Sequence, residues 1–346
     1  MKSQFFDGLL HNEIMIIDAH GHLVPETLTS EIQTRVAEFP SVSLVTERER
    51  SLAFSFCGKG ATRPVAPFLQ DVRRRLTWMA SNGIDRQVVG CWLDMFGYEL
   101  PGEEGEEWSR MINRHMAAVA HEHPEFIPLA SVPLQEGERA AAVLADAMAE
   151  GFKGVMIGTQ PDAAGGVLDT PDLDPFWRTA HESGAIVYIH PVFESGDERV
   201  RDYGMANAVG RITDTLIAVS RIIFSGHVAR YSGARLVAVT GGAALPYVLG
   251  RLRRNYELQS GNLGDPEAAL KLLYYDTIVH DPRALRFMAD IVGADRIMMG
   301  SDSPFPIGDD SPMDVVSKAG FSAADERRIN GGLAMQLFGL DGGAGD

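Results

Sequence analysis

Eight short apolar runs, nearly all separated by segments of helical spacing, set the limits on what this chain can fold into. The first starts at Ile14 and leads into His20 and His22. The others are Arg86 to Leu93, Phe126 to Leu134, Gly154 to Gly158, Ala185 to Pro191, Leu236 to Gly242, Leu272 to His280 and Arg296 to Asp302. These runs are apolar throughout, as strands are when both sheet faces are buried. Between and after them lie helical segments: Leu69 to Ser81, Glu103 to His123, Gly137 to Glu150, Asp172 to Ser183, Met205 to Ser225, Ala244 to Gln259, Pro282 to Val292 and Ser322 to Leu337. Gly151, Gly184 and Gly226 stop helices, Pro282 starts one, and Ser322 with Asp325 is placed as a capping box. Strand–helix alternation implies parallel strands, and eight of them is the number that closes a (β/α)₈ barrel. A doubly wound open sheet is the alternative, but no GxGxxG follows the first strand.

The expected fold is therefore a (β/α)₈ TIM barrel, one domain over residues 1–346, with an insertion after strand 1. The insertion, roughly 26–67, has mixed polarity and reads as irregular, with Gly58, Gly60, Pro64 and Pro67. Inserts of this length usually form lids or binding loops. Arg48, Arg50, Lys59 and Arg63 lie in it, and Arg63 is a candidate to meet an anionic substrate. Solvated surface charge is the plainer alternative for each.

Charge and composition narrow the partners. A formal net charge of −16 argues against nucleic acid and against an anionic membrane surface. An anionic substrate would need local Arg or Lys inside a pocket. Cys57 and Cys91 fit neither a metal spacing nor a disulfide framework. Met1 to Asn12 has no apolar core of a signal peptide, and no apolar run reaches membrane-spanning length. A soluble, cytoplasmic protein acting on a small molecule is expected.

In a barrel of this kind the site sits at the C-terminal strand ends. Side chains alternate along a strand, so His20 and His22 leave the same face. His190 ends strand 5, Thr240 strand 6, and Asp302 strand 8; Asp276 and His280 lie near the end of strand 7, and Trp92 and Asp94 near that of strand 2. Taken singly, these could be loop histidines, a core histidine and a turn aspartate. Together, three imidazoles and a carboxylate suit one divalent ion, Zn²⁺ first and Mn²⁺ second, with a position left for water or substrate. Such an ion lowers the pKa of water toward ~7.

The chain resembles the amidohydrolase superfamily, and within it the branch of α-amino-β-carboxymuconate-ε-semialdehyde and γ-resorcylate-type decarboxylases. The resemblance runs from Ile16 to Leu340. It rests on Asp18-Ala19-His20-Gly21-His22, the stretch Gly151 to Gly158, Ile189-His190-Pro191, Leu245-Pro246-Tyr247 through Gly250-Arg251, Tyr275-Asp276 with Val279-His280-Asp281-Pro282, and Gly300-Ser301-Asp302-Ser303-Pro304-Phe305-Pro306. It implies metal ligation by His20, His22, His190 and Asp302. It implies that Arg251 reaches a substrate carboxylate in a neighbouring subunit, hence a homodimer. Lys153 stands at the start of strand 4, the wrong end for a bridging ligand, so one metal is expected.

One departure matters. The family usually ends strand 6 on a histidine that moves a proton; here Val239-Thr240-Gly241-Gly242 stands there. Threonine has no group that titrates near neutrality and can only hydrogen-bond, orient a water or leave room. Ser303 and Leu333 also depart from the family's Tyr and Asn. The remaining proton carriers are Asp94, His280 and His227, with Asp94 preferred and His227 at the wrong end. Asp302, Asp94 and His280 are thus the expected catalytic groups, and Arg251, Trp92, Arg63 and Thr240 the expected substrate-binding ones. The implied activity is decarboxylation of a small aromatic or unsaturated carboxylic acid. Hydrolysis of a lactone or amide is the alternative, and an impaired metal-binding homologue the third.

Overall fold

The computed structural model describes residues 14–47, 51–162, 165–192, 198–259 and 261–340. Arg48 and Arg50 lie outside the described residues. The strands are β1 (Ile17–Leu23), β2 (Val42–Glu47), β3 (Ser51–Phe56), β4 (Arg86–Cys91), β5 (Phe126–Pro128), β6 (Gly154–Gly158), β7 (Ile186–His190), β8 (Arg235–Ala238), β9 (Tyr274–Asp276) and β10 (Ile297–Met298). All but β2 and β3 are parallel, in a three-stranded sheet β1-β4-β5 and a five-stranded sheet β6-β7-β8-β9-β10.

Backbone hydrogen bonds cross both seams between the sheets. Ala130 N donates to Gly154 O at 2.9 Å and Met156 N to Ala130 O at 3.0 Å. On the other side, Ala19 N donates to Met299 O at 2.7 Å, and Asp302 N to His20 O at 2.8 Å. The eight strands form the expected (β/α)₈ arrangement, with helices 72–81, 102–122, 137–149, 174–183, 211–224, 245–258 and 282–292 as the crossovers. Val187, Ile189, Val237, Tyr275 and Met298 are fully buried, as parallel strands covered on both faces require.

Three differences from expectation have physical reasons. The insertion is not irregular: it holds a helix, Glu26–Arg35, and the antiparallel hairpin β2–β3. Phe39, Phe54 and Phe56 pack edge-on around Trp108 of helix 102–122, with ring centroids 5.4–5.9 Å away, which gives the hairpin its own apolar support. The strands are also shorter than their apolar runs. The run 236–242 leaves strand geometry at Val239, because Thr240 and Gly241 adopt left-handed backbone angles. Finally, helices 205–225 and 322–337 are each interrupted by a π-turn, at 206–210 and 328–332. Among the described residues, no helix is long and apolar enough to cross a membrane.

Candidate metal centre and pocket

His20 and His22 project from β1, His190 is the last residue of β7, and Asp302 follows β10. One ligand atom from each lies within 4.8 Å of all the others. The three imidazole centroids are 4.9–5.3 Å apart. His20 Nδ1 is 2.8 Å from Asp276 Oδ2 and His190 Nδ1 is 3.0 Å from Pro191 O, so the Nε2 atom of each is turned toward the cluster. Asp302 Oδ1 stands 3.1 Å from His22 Nε2 and 3.7 Å from His20 Nε2.

His20 Nε2, both ring nitrogens of His22 and Asp302 Oδ1 are buried without a hydrogen-bond partner. A buried polar atom left unpaired costs about 1–3 kcal/mol, so three of them, His20 Nε2, His22 Nε2 and Asp302 Oδ1, gathered in one place call for a ligand. A divalent cation fits the donor set. Burial, then the charges of its histidine neighbours, holds His190 well below the usual imidazole range. Burial also lowers His22. In His20 burial acts downward too, but the Asp276 hydrogen bond and the carboxylates around it outweigh burial and raise it. Metals take neutral imidazoles.

A second layer fixes these groups. Asp276 accepts from His20 and from the backbone N–H groups of Thr240 at 2.9 Å and Gly241 at 2.6 Å. Asp18 is fully buried and accepts from Gln87 Nε2 at 2.6 Å, Ser301 N at 2.9 Å and His20 N at 3.1 Å. Arg75 donates to Gln87 at 2.6 Å and to His22 O at 2.9 Å. Its burial pushes the guanidinium down to about 10. The Asp-Ala-His-Gly-His stretch is thus held at three backbone or side-chain points on β1.

A cavity of about 210 Å³ opens beside the cluster. It gathers most of the expected site: Arg63, Asp94, Thr240 and His280 line it together with His190 and Asp302. Arg63 grips Asp94 through Nε at 3.0 Å and Nη2 at 2.8 Å, and its backbone N–H lies 3.3 Å from the same carboxylate. Trp92 lies behind this pair, with the Arg63 guanidinium 5.1 Å from its ring, and is not on the cavity wall. Arg251 is exposed and lines a different groove, between helices 211–224 and 245–258. His227 is away from the cavity, its Nδ1 2.7 Å from Ser225 Oγ.

Three further residues had no site role expected from the sequence. Asn207 and Arg211 line the cavity from the π-turn and the start of helix 211–224, and Phe305 packs 5.0 Å from the His22 ring while also lining it. Thr240, His280 and Asp302, each beyond a different strand, all have positive φ, at 58°, 56° and 58°. For the β-branched Thr240 this is an outlier, and such strain concentrates at functional sites.

Three buried histidines and a partly buried carboxylate at the C-terminal rim of a (β/α)₈ barrel define a class: barrel proteins with a site suited to a metal ion. The chain belongs to the amidohydrolase family, whose model matches residues 17–340. It is similar to 2-amino-3-carboxymuconate-6-semialdehyde decarboxylase of Dictyostelium discoideum, 30% identical over 275 residues, covering 77% of this chain and 76% of the relative. Its fold matches the crystal structure of 5-carboxyvanillate decarboxylase from Sphingomonas paucimobilis, with TM-score 0.77, 21% identity, and 94% and 99% of the two chains covered. It also matches a dihydroxybenzoic acid decarboxylase from a Polaromonas species solved with bound manganese and the inhibitor 2-nitroresorcinol, with TM-score 0.76, 21% identity, and 95% and 98% covered.

Proposed function

We propose that this protein is a metal-dependent decarboxylase of a small aromatic or unsaturated carboxylic acid, acting as one catalytic unit over residues 1–346. The observation that carries this is the cluster of unpartnered ligand atoms opening onto a cavity that also presents Arg63. The decarboxylases among its relatives and structural neighbours support the reaction type. His20, His22, His190 and Asp302 would hold the ion. When bound, Zn²⁺, or the Mn²⁺ carried by the Polaromonas neighbour, supplies Lewis-acid polarisation of a substrate oxygen.

The remaining roles fall to the chain's own side chains. Arg63 binds the substrate carboxylate, since a guanidinium matches its geometry. Asp94 and Trp92 fix Arg63 in place. Because both Asp94 oxygens already accept from Arg63, we assign proton transfer to Asp302, through Oδ2, with His280 on the cavity wall exchanging that proton with solvent. The carbon that loses CO₂ receives the proton. Thr240 leaves room for substrate where an imidazole would stand.

Arg251 and the groove beside it, with Ile217 56% and Leu258 64% exposed, support a homodimer through helices 211–224 and 245–258. A cytoplasmic location fits two unpaired cysteines. The test is CO₂ release by the metal-reconstituted protein from a panel of aromatic carboxylic acids. Release from at least one, lost when metal is removed, is expected. Hydrolysis of lactones or amides without any CO₂ release would overturn the assignment. Sedimentation at working concentration should give a dimer, and a monomer refutes the cross-subunit role of Arg251.

A further inference from the structure

A second cavity, of about 260 Å³, lies between helix 72–81 and the segment that follows β10. Phe68, Trp78 and Phe305 give it aromatic walls, and Arg74 and Arg75 line it as well. Phe305 also lines the cavity beside the histidine cluster, so one residue is a wall common to both. Arg75 is the unusual member. It is 3% exposed, yet its guanidinium donates to neutral acceptors, Gln87 Oε1 at 2.6 Å and His22 O at 2.9 Å, and forms no ion pair among the described residues. The acid next along that chain of bonds, Asp18, stands beyond Gln87 and is shared between Gln87, Ser301 and His20. Taking a charge out of water is costly unless an opposite charge meets it, so a buried guanidinium held by neutral groups favours an anion beside it. Arg74, the preceding residue, is exposed. Among the described residues lining this cavity the acid is Asp310, which is exposed too.

We propose that this second cavity is a binding site for a small aromatic carboxylate, with the ring among Phe68, Trp78 and Phe305 and the carboxylate toward Arg74 and Arg75. Two cations against one acid make its walls positive in a chain of net charge −16, which is a local reversal of the protein's field. The volume is just below the 300–1,000 Å³ usual for drug-sized ligands, which limits the occupant to about one ring. Asp310 opposes the carboxylate only weakly, because an exposed charge is screened by salt. The site is separate from the metal cluster and does not rest on the reaction assigned above.

The test reads binding, not turnover. Crystals of the metal-reconstituted full chain are soaked with 4-bromobenzoate, and bromine anomalous scattering should place one molecule between helix 72–81 and segment 303–310. Calorimetry with the same probe should show the matching binding event, and the uncharged 4-bromobenzamide should lose most of it. Trp78→Leu should weaken that event about three- to ten-fold, as the loss of an aromatic contact does. Arg74→Gln should weaken it by up to about five-fold, the range of an exposed ion pair, and Asp310→Asn should tighten it. Arg75→Met should abolish it but also releases Gln87 and the His22 carbonyl, so the variants at the less buried Trp78 and Arg74 decide. No bromine peak in the second cavity, equal binding of acid and amide there, or an event indifferent to both Trp78→Leu and Arg74→Gln overturns the proposal. Weaker binding by Asp310→Asn overturns it too, since the occupant would then carry a positive group. Binding in the second cavity without CO₂ release from any acid refutes decarboxylation and leaves this site standing. CO₂ release without that binding does the reverse.

Discussion

His20 Nδ1 lies 2.8 Å from Asp276 Oδ2, and the same oxygen accepts the backbone N–H of Thr240 at 2.9 Å. One carboxylate at the end of β9 therefore orients an imidazole on β1 and the strained turn after β8. The carboxylate selects the His20 tautomer with its proton on Nδ1 and the lone pair of Nε2 toward the cluster. Asp276→Asn places an amide there, which can offer an N–H instead of an acceptor. Metal affinity should fall about 10–100-fold, as is usual when such an outer partner is lost. Competition with a chromophoric chelator measures it, and an unchanged affinity would show that Asp276 has no hold on His20.

His190→Ala removes the imidazole that β7 contributes to the cluster. After reconstitution, elemental analysis should find bound metal well below one per chain. The gain in melting temperature on adding metal should shrink in parallel, since a ligand stabilises only the state that binds it. Full metal retention refutes His190 as a ligand.

Asp94→Asn separates two roles for one carboxylate. With Arg63 loosened, KM should rise by about ten-fold, in line with a lost charge-assisted contact, while kcat changes by only a few-fold. A collapse of kcat at unchanged KM would return the proton to Asp94.

Thr240→Gly should stabilise the fold. A non-glycine residue in left-handed geometry costs about 1–2 kcal/mol, part of which glycine gives back through its freer unfolded chain. Thr240→Val keeps the β-branch and should bring no gain. Chemical denaturation of the metal-free protein reads both, and equal midpoints for the two variants and the wild type would mean that the turn is unstrained.

Asp214 carries a pH signature. Burial raises its carboxyl against the opposing hydrogen bonds from Thr159 and Gln160. A carboxyl raised in the folded state favours folding at low pH, and that favour is lost as pH rises from about 3.8 through the folded value. Asp214→Asn should therefore be more stable than the wild type at pH 7, with the advantage vanishing near pH 3. A pH-independent difference would place the effect in packing instead.

The barrel and the gathering of His20, His22, His190 and Asp302 were legible because both rest on spacing. Apolar runs reveal buried strands wherever they occur, and His20, His22, His190 and Asp302 each sit at the end of one. The strand ends themselves were not, since hydrophobicity continues past the point where Thr240 turns left-handed and no side-chain pattern marks that turn. Arg211 and Asn207 escaped for a different reason. On an amphipathic helix a polar residue reads as solvent-facing, and only the π-turn at 206–210 and the place of that helix over the rim turn them toward the cavity. The order in the insertion was hidden because its apolar support, Trp108, comes from a helix far along the chain.

The seam between β1 and the strand-end segment 299–303 has a mechanical meaning. His20 and His22 belong to the three-stranded sheet, whereas His190 and Asp302 belong to the five-stranded sheet and its continuation. An ion gripped by all four is a clasp across the joint between two halves of the wall. Loading it should quiet the breathing of that joint, and slower amide exchange at Ala19, His22 and Asp302 would register the closing of the clasp.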